Sequence, residues 1–356
     1  MALTEDKRMM TPDNDPFARY ARQMSYARFG REGQERLAHA TALVVGVGAL
    51  GSVIANTLAR SGVGRLRIVD RDYIEWNNLQ RQVIYTEEDV RQRLPKAIAA
   101  KNHLSAANSD IQIEAEIADV DHRNIERLCQ GVDVIVDGTD NFEVRFLLND
   151  ASLKLGIPWV YGGCIGAEGQ TMTIMPGEGP CLRCIIPDSP PPGTTPTCDT
   201  AGILAPIIGV IASLESMEAL KILSGHQTQV NRTLTVFDLW ENRIRPVKLG
   251  SINDRSGCPA CGQHNLEWLA GKRGSQSAVL CGRNAIQLSF AEQESVDLTA
   301  LAENLRQHGT VEANPYLLRA TIGDHAFTLF GDGRCIVHGT DDPAEARSLH
   351  ARYIGT

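Results

Sequence analysis

The sequence predicts an α/β fold: a Rossmann-like, doubly wound and mostly parallel sheet with helices on both faces, plus a small C-terminal α+β domain. Strand-like and helix-like segments alternate through the amino-terminal half, which is the pattern of parallel strands joined by crossover helices. A glycine-rich turn at 46–51 follows the first strand and opens the first helix of this series. A linker-like stretch at 271–275 precedes a tail that has its own strand and helix signals.

The individual elements follow from apolar runs and their spacing. An arginine-rich helical arm is predicted at 15–38, before the alternating series. In that series the strands are 42–46, 65–70 and 132–137, the helices are 51–61 and 96–105, β-like segments start at Trp159, and a long apolar helix spans 203–224. In the tail we expect strands at 285–290, 316–322, 326–330 and 335–338, and helices at 298–307 and from Pro343.

The composition is that of a globular protein. Of the 356 residues, 43% are hydrophobic and 22% are charged, and the net charge is −8. Net acidity argues against nucleic acid as a partner, because phosphate contacts need a basic surface. The apolar run at 203–212 is too short to span a bilayer, and residues 1–16 contain no apolar signal-peptide core. We therefore expect a cytoplasmic protein with a flexible N-terminus at 1–16 and no membrane partner.

The turn at Gly46, Gly48 and Gly51 matches the G-x-G-x-x-G pattern of nucleotide-binding sites. Glycines here allow a tight turn and let backbone N–H groups approach phosphate closely. Asp70 ends the next predicted strand, where its carboxylate can accept hydrogen bonds from ribose hydroxyls. An ordinary strand-to-helix turn with a capping acid is the alternative. The pattern predicts a nucleotide site but leaves the nucleotide open, since NAD-dependent enzymes use the same turn.

Several cations near this turn favour a triphosphate. Arg81 follows Asp70, Lys96 opens a predicted helix, and Arg19 and Arg22 lie in the N-terminal arm. Preorganised arginine and lysine side chains, together with Mg²⁺, stabilise the charge that develops on a phosphate chain during transfer. Each of these arginines could instead be an ordinary surface charge.

Asp140 follows another apolar strand, at the carboxyl edge where open parallel sheets bind ligands. A carboxylate in this position can hold Mg²⁺ together with phosphate oxygens. The alternative is that Asp140 caps the following helix by accepting hydrogen bonds from its free amides. The sequence leaves both interpretations open.

Two C-x-x-C pairs, Cys181 with Cys184 and Cys258 with Cys261, are predicted to form one metal site. Four thiolates in two such pairs match a closed, tetrahedral structural zinc site. A redox pair, or buried cysteines without a metal, is the alternative. Since cytosolic proteins carry few disulfides, nine cysteines in this chain indicate metal or thiol chemistry.

A proline-rich segment at 187–199 is predicted to be a mobile surface loop, because proline supports neither helix nor sheet ladders. Cys198 lies in this loop just before a predicted helix, where exposure and a helix N-terminus favour a reactive thiolate. An incidental small residue is the alternative. The cysteines outside the pairs and the loop are predicted to pack in apolar surroundings: Cys129, Cys164, Cys281 and Cys335.

Taken in order, these motifs resemble the ThiF/MoeB/HesA adenylyltransferases, bacterial relatives of ubiquitin-activating enzymes. The resemblance covers about 17–262 and is carried by RYARQ at 19–23, GVGALG at 46–51, NLQRQ at 78–82, PK at 95–96, GTDN at 138–141 and the two cysteine pairs. Two residues depart from the family's usual pattern. Ala49 stands where a glycine is usual and adds a methyl group near the adenylate, and Gly138 replaces a common cysteine.

The resemblance implies a role for each matched residue. The nucleotide contacts would come from the glycine turn with Ala49, from Asp70 on the ribose, from Asn78, Arg81 and Lys96 on the phosphates, and from Asp140 with Mg²⁺, beside Asn141. Arg22 would reach across a homodimer into the partner copy's site. The paired cysteines would hold zinc. In some members of the family a cysteine in the place of Cys198 becomes linked to the C-terminus of the carrier protein.

We therefore predict ATP-dependent adenylation of the C-terminal Gly-Gly carboxylate of a ubiquitin-like sulfur-carrier protein, with release of pyrophosphate. The domain at 17–270 would perform this chemistry. The domain at 276–356 resembles an extension of thiamine-branch members, which favours a carrier for thiazole synthesis over the molybdopterin carrier. The resemblance also implies a sulfur donor, a cysteine desulfurase or a rhodanese, as a further partner.

Functions of other classes stay open at this point. An NAD-dependent oxidoreductase would share the glycine turn and Asp70, but it would not explain Arg81, Lys96 and the cysteine pairs. A non-catalytic nucleotide-binding scaffold would use the tail to recruit a partner. Within the superfamily, the tRNA-modifying dehydratases are a third alternative, which the acidic charge and the four paired cysteines disfavour.

Overall fold

Two β-sheets, each with its own helices, make up the described part of the chain. The computed structural model describes residues 15–189, 201–247, 255–273, 277–280, 284–288 and 296–355. The predicted flexible residues 1–14, most of the predicted loop at 187–199, Cys198 and Cys281 lie outside these ranges. The fold class predicted from the sequence is confirmed by the two sheets.

The larger sheet has eight strands. They are β1 Thr41–Val45, β2 Arg65–Asp70, β3 Gln112–Ile117, β4 Val134–Asp137, β5 Trp159–Ile165, β6 Glu168–Ile174, β7 Leu234–Asp238 and β8 Arg243–Val247. Their spatial order is β3-β2-β1-β4-β5-β6-β7-β8, parallel from β3 across to β5 and antiparallel from β5 to β8. Because the chain order reverses between β1 and β4, the carboxyl ends of these strands border the crevice where doubly wound sheets bind ligands.

Helices cover both faces of this sheet. The α-helices are α1 Ala21–Met24, α2 Gly30–His39, α3 Ala49–Ser61, α4 Glu87–Arg91, α5 Lys96–Ala107, α6 Ile125–Leu128, α7 Phe142–Leu155, α8 Leu182–Ile185 and α9 Ala205–Leu223, and short 3₁₀ helices span Ala18–Tyr20, Trp76–Asn78 and Gln227–Gln229. Helices α3, α5 and α9 pack on the face that carries Val44 and Ile68. Helices α6, α7 and α8 pack on the face that carries Ile135 and Trp159.

The smaller sheet belongs to a C-terminal domain at 277–355. Its strands are β9 Ser277–Leu280, β10 Ala285–Leu288, β11 Thr310–Ala313, β12 Leu317–Ile322, β13 His325–Phe330 and β14 Cys335–His338, and its helices are α10 Leu298–Leu305 and α11 Pro343–Tyr353. The strands are antiparallel in the order β11-β12-β13-β14-β10-β9. One face buries Phe327 and Val337 beneath the two helices. The other face carries Phe330 and Ile336 toward the first domain.

Most predicted elements are confirmed, and the differences have local causes. The predicted helical arm at 15–38 is confirmed; it contains a 3₁₀ turn, α1 and α2, and turns at 25–29 separate the two α-helices before Gly30, which has φ of 60°. Strand β3 was not predicted. It is an edge strand in which Ile113 and Ala115 alternate with polar neighbours, so it lacks the apolar run of a central strand. Among the described helices, none combines the length and the apolar character that crossing a membrane requires.

Candidate active site

The glycine turn joins β1 to α3 at the carboxyl edge of the larger sheet. Gly46 has φ of 81°, and a Cβ there would lie 2.8 Å from Gly138 O. A Cβ on Gly51 would lie 1.9 Å from Gly46 O. The fold itself therefore requires glycine at both positions. A Cβ on Gly48 would meet, among the described residues, only Gln82 Nε2 at 3.9 Å, so the backbone of Gly48 faces space that a ligand can enter.

Asp70 is buried at the end of β2, and its carboxylate accepts hydrogen bonds from two backbone amides. Its Oδ2 accepts a hydrogen bond from Val47 N at 2.7 Å, and its Oδ1 accepts one from Asp72 N at 2.7 Å. The carboxylate thus ties the glycine turn to the segment after β2. Burial raises the pKa of Asp70, and attraction to nearby Lys96 opposes that rise. Each carboxylate oxygen can accept a second hydrogen bond, so a ribose hydroxyl can still bind.

Lys96 is buried at the start of α5, beside the same segment. Its Nζ lies 3.0 Å from Asp72 Oδ2, and its backbone N–H donates to Asp72 O at 2.8 Å. The Tyr85 hydroxyl lies 2.7 Å from Val47 O and 3.2 Å from Lys96 O, which connects α5 to the glycine turn. The structure therefore brings Lys96 and Asp70 to one site beside the glycine turn.

The segment with Asn78 and Arg81 runs alongside the glycine turn. The buried Asn78 side chain accepts a hydrogen bond from Glu75 N at 3.0 Å, which shapes the 3₁₀ turn. Arg81 is half-buried, and its Nη1 donates to Asn77 O at 2.7 Å. The residue after Arg81 is the glutamine that faces Gly48. Two of the three predicted phosphate ligands, Asn78 and Arg81, thus lie on a segment adjacent to the open backbone of the turn.

The loop at 138–141 leaves β4 next to the glycine turn. Asn141 Oδ1 accepts a hydrogen bond from Glu143 N at 2.8 Å and caps α7. Asp140 is exposed and is not the cap, which removes the alternative interpretation of this residue. Its carboxylate stands at the edge of the crevice, where it can coordinate a cation together with ligand oxygens.

A buried ion pair that the sequence did not predict fixes this loop. Arg145 Nε lies 3.2 Å from Asp137 Oδ2, and Arg145 Nη2 donates to Thr139 O at 2.6 Å and to Gly162 O at 3.0 Å. Asp137 Oδ1 in turn accepts from Thr139 N at 2.9 Å and from its hydroxyl at 2.7 Å. Removing either charge would leave the other buried and unpaired. The available sequence signal was an arginine between two apolar residues of α7, Val144 and Phe146.

Glu215 of α9 is a second buried acid that the sequence did not predict. It packs against Gly162, where a Cβ would lie 2.3 Å from Glu215 Cδ. Neither carboxyl oxygen has a hydrogen-bond partner within the described ranges. Burial raises the pKa of Glu215 well above its ordinary value, and the negative charge of Asp137 adds to the rise. Burial therefore favours the protonated form of this side chain, which lies behind the strand that Arg145 contacts.

The N-terminal arm lies at the opposite edge of the sheet from the glycine turn. Gln23 Nε2 donates to Ser61 O at 2.9 Å, at the far end of α3. A helix of 13 residues is about 20 Å long, so Arg22, which is exposed on α1, is remote from its own chain's site. Arg19 pairs with Asp110 at 3.3 Å near the same edge. The hypothesis that Arg19 joins the triphosphate cations is therefore wrong within one chain.

The four paired cysteines form one cluster. Their Sγ atoms all lie within 4.8 Å of one another, with Sγ–Sγ distances of 3.9 Å for Cys181–Cys184, 3.7 Å for Cys181–Cys258 and 3.4 Å for Cys184–Cys261. A tetrahedral site with metal–sulfur bonds of about 2.3 Å separates its sulfurs by about 3.8 Å. The cluster therefore fits a closed tetrahedral metal site.

Two neighbouring residues of α7 anchor the two cysteine pairs. Asn149 Oδ1 accepts from Leu182 N at 2.9 Å, inside the first pair. Asp150 Oδ2 accepts from Trp268 N at 3.0 Å and from Leu269 N at 3.3 Å, just after the second pair. Burial raises the pKa of Asp150 to about 6. The cluster is thus tied to the helix that begins at the loop 138–141.

The remaining cysteines divide by position. Cys129 and Cys335 are buried in apolar clusters, and Cys164 is half-buried against another, which confirms their predicted packing role. Burial raises the pKa of Cys129 to about 12, so its thiol is unreactive at neutral pH. Cys198 and Cys281 lie outside the described residues, and the predicted reactivity of Cys198 stays a prediction.

The raised pKa of Glu215 has a consequence for stability. Its pKa in the folded state is raised above the unfolded value. At a pH between these two values, unfolding releases the proton of Glu215. The free energy of unfolding of the wild-type protein therefore falls as pH rises through this range. Glu215→Gln has no proton to release. We expect the variant's stability relative to wild type to increase with pH by up to about 1.4 kcal/mol per pH unit. Thermal unfolding at pH 5 and pH 8 measures this, and a gap that does not widen would show that Glu215 is ionised.

Comparisons with known proteins agree with this geometry. Residues 20–260 match the ThiF family. The sulfur carrier protein ThiS adenylyltransferase of Bacillus subtilis (strain 168) is 44% identical over 338 residues, which cover 95% of this chain and 99% of that protein. The sulfur carrier protein adenylyltransferase of Thermus thermophilus is 39% identical over 249 residues, covering 68% of this chain and 90% of that protein.

Among solved structures, E. coli MccB with ATP has a similar fold. Its TM-score is 0.60 at 22% identity, and the match covers 70% of this chain and 75% of that one. At this level of identity the likeness concerns the fold alone. The family match covers more than half of the chain, and the Bacillus subtilis relative is similar over nearly its whole length. The chain is therefore an adenylyltransferase of the ThiF family.

Proposed function

We propose that this chain uses ATP to adenylate the C-terminal Gly-Gly carboxylate of a ubiquitin-like sulfur-carrier protein. The observation that carries the proposal is the gathering of Asp70, Lys96 and the loop 138–141 around the open backbone of Gly48. A dinucleotide site would need the turn and Asp70 but not a buried lysine beside them. Relatives named as sulfur-carrier adenylyltransferases support the same reaction.

The proposed chemistry needs charge and orientation rather than a base. The carrier's carboxylate attacks the α-phosphate of ATP, an acyl-phosphate bond forms, and pyrophosphate leaves with the electrons of the broken bond. A C-terminal carboxylate is already ionised at neutral pH. Lys96 and Arg81 stabilise the phosphates, Asp70 holds the ribose, and the first amides of α3 face the phosphate chain. Mg²⁺ held by Asp140 would neutralise charge on the phosphate oxygens.

The position of Arg22 supports a homodimer. Arg22 lies at the amino edge of its own sheet, about the length of α3 away from the glycine turn. Within this proposal it can serve a nucleotide site only in a second copy of the chain. Because a two-fold dimer presents the same surface twice, each copy would give Arg22 to the other.

For the carrier we infer the thiamine branch rather than the molybdopterin branch. The relative that matches 95% of this chain, and so includes most of the C-terminal domain, is named for ThiS. The relative that stops at 68% of the chain carries only the general name of sulfur-carrier adenylyltransferase. A sulfur donor, either a cysteine desulfurase or a rhodanese, would then act on the adenylated carrier.

We also propose that the four-cysteine cluster holds zinc as a structural ion. All four ligands are protein sulfurs, so no coordination position is left for a substrate. Without a metal, burial and the neighbouring Cys181 raise the pKa of Cys261 to about 12, whereas a bound cation stabilises the thiolates. Zinc would thus join the cysteine pairs that α7 anchors on either side.

ATP–pyrophosphate exchange tests the reaction. With a Gly-Gly-ended thiamine carrier present we expect exchange, and Lys96→Ala should lower its rate by about ten- to a hundredfold, because a charge-assisted hydrogen bond contributes about 1.5–3 kcal/mol. Asp140→Asn should lower the rate as well, because a neutral amide binds Mg²⁺ less strongly than a carboxylate. Lys101→Ala, an exposed lysine on the same helix, is the matched control and should keep full exchange. A molybdopterin carrier should be the poorer substrate. No exchange with any carrier would refute the proposal.

Mixing two inactive variants tests whether Arg22 acts in the nucleotide site of the partner copy. Arg22→Ala and Lys96→Ala should each be nearly inactive as homodimers. In a mixed dimer one site has both residues, so co-expression in equal amounts should restore about one quarter of wild-type exchange. The quantity measured is the exchange rate of the co-purified mixture against each variant alone. Absence of any restoration, or a monomer in sedimentation, would mean that Arg22 does not act across a dimer.

Metal content and melting temperature test the zinc site. Elemental analysis of the purified protein should give about one zinc per chain. The pair Cys258→Ser and Cys261→Ser should lose the metal and melt several degrees lower, because binding energy of a structural zinc is folding energy. Cys164→Ala, outside the cluster, should keep its zinc. Wild-type protein that contains no zinc and whose four paired thiols are all freely alkylated would rule the site out.

A further inference from the structure

The C-terminal domain lies against the nucleotide side of the larger sheet. Leu317, Phe330 and Ile336 of its sheet form a buried cluster with Tyr73, which lies three residues beyond Asp70. The apolar contact therefore falls on the segment that leaves the ribose-binding strand. A domain seated there is well placed to act on the nucleotide site.

Arg334 is the polar centre of this contact. It is 1% exposed, and its Nη1 donates to Arg71 O at 3.1 Å. Its Nε lies 2.6 Å from Asp332 Oδ2, and its guanidinium lies over the Phe330 ring, 4.4 Å from the centroid. Paired and stacked in this way, the guanidinium has one orientation. It therefore holds the Arg71 carbonyl, next to Asp70, in one position.

A second contact reaches the segment before α5. Asn314 Nδ2 donates to Gln92 O at 3.2 Å and to Arg93 O at 3.1 Å, and Glu312 pairs with the Arg93 side chain. Arg93 has φ of 51°, an uncommon left-handed conformation for a residue other than glycine. Such a conformation persists when its surroundings stabilise it, and here the C-terminal domain supplies part of those surroundings.

The two contacted segments are joined to each other. Ile74 N donates to Leu94 O at 3.1 Å, and Lys96 N donates to Asp72 O at 2.8 Å. One segment starts at Asp70 and the other ends at Lys96. Any shift of this joined pair would therefore move both the proposed ribose ligand and the proposed phosphate ligand.

We propose that the C-terminal domain completes the nucleotide site by fixing these two segments, with Arg334 and Asn314 as positioning residues. The inference rests on the ATP site proposed above. Both residues act through backbone carbonyls of the segments rather than on the substrate itself. Their loss lets the two segments move before ATP binds, and bound ATP itself brings the segments back into position. We therefore expect weaker ATP binding, whereas affinity for the carrier and the rate at saturating ATP should change little.

Steady-state kinetics of the full-length protein test the inference. Asn314→Asp keeps the acceptor oxygen, which receives hydrogen bonds from Tyr316 N and Leu317 N, but replaces the donor to 92 and 93 with a charge. We expect it to raise the KM for ATP about tenfold, with kcat and the carrier KM within about twofold. Arg334→Met should do the same while keeping contact with Phe330. Asn304→Asp, on the exposed side of α10, is the charge-matched control and should match wild type.

The outcomes separate this inference from the ATP site on which it rests. Direct ATP titration of Asp70→Ala and Lys96→Ala tests that site, and unchanged affinity in both would refute it. If those variants lose ATP while Asn314→Asp and Arg334→Met bind it as wild type does, only the positioning role is wrong. A fall in kcat that follows the unfolded fraction measured by thermal melting, with the KM for ATP unchanged, would likewise overturn it. A rise in the KM for ATP alone, in both Asn314→Asp and Arg334→Met and at temperatures below their melting points, supports it.

Discussion

The active site depends on two hydrogen bonds that the Asp70 carboxylate accepts from backbone amides. One belongs to the glycine turn after β1 and the other to the segment after β2, and that segment provides Asp72, the partner of Lys96. Ionising a buried carboxylate costs desolvation free energy, and hydrogen bonds from amides together with a nearby cation offset that cost. The phosphate-binding turn, the ribose ligand and the buried lysine therefore share one anchor, and the C-terminal domain reaches the nucleotide through the same segment.

Asp137 plays a matching part on the other side of β1. Val45 pairs with Asp137 in register, so the two acids end the strands that flank β1. The carboxylate oxygens of Asp137 accept hydrogen bonds from Thr139 and pair with Arg145, and these contacts fix the loop beside the turn. A Cβ at position 138 would lie 2.2 Å from the carbonyl oxygen of the turn's first glycine. A side chain at this position therefore has no room, and the glycine allows backbone to pack directly on backbone.

The features that could be predicted from the sequence are motifs whose residues lie close together in the chain. The glycine turn with Asp70 and the paired cysteines are visible because each motif lies within a few residues and has one physical use. Glu215 was missed because its role comes from packing against a strand far away in the chain. Arg19 was correctly given to a helical arm, but periodicity does not tell at which edge of the sheet that arm lies. The contact of the C-terminal domain was likewise beyond prediction, since surfaces meet only after each sheet has formed.

The restraints on the site are uneven, and the difference bears on how it would work. The loop 138–141 is held by Arg145, and the segments at 71–74 and 92–96 are held by each other and by the C-terminal domain. In the segment of Arg81, Asn78 and Gln82 are buried, whereas Trp76 and Val83 are 57% and 62% exposed. The guanidinium of Arg81 donates to Asn77 O within its own segment. In the proposed reaction ATP would therefore meet a ribose and lysine site held by several segments, and an Arg81 side chain with fewer restraints. Such a side chain can adjust as the phosphates rearrange, and an interaction that is stronger in the transition state than in the ground state accelerates the chemical step.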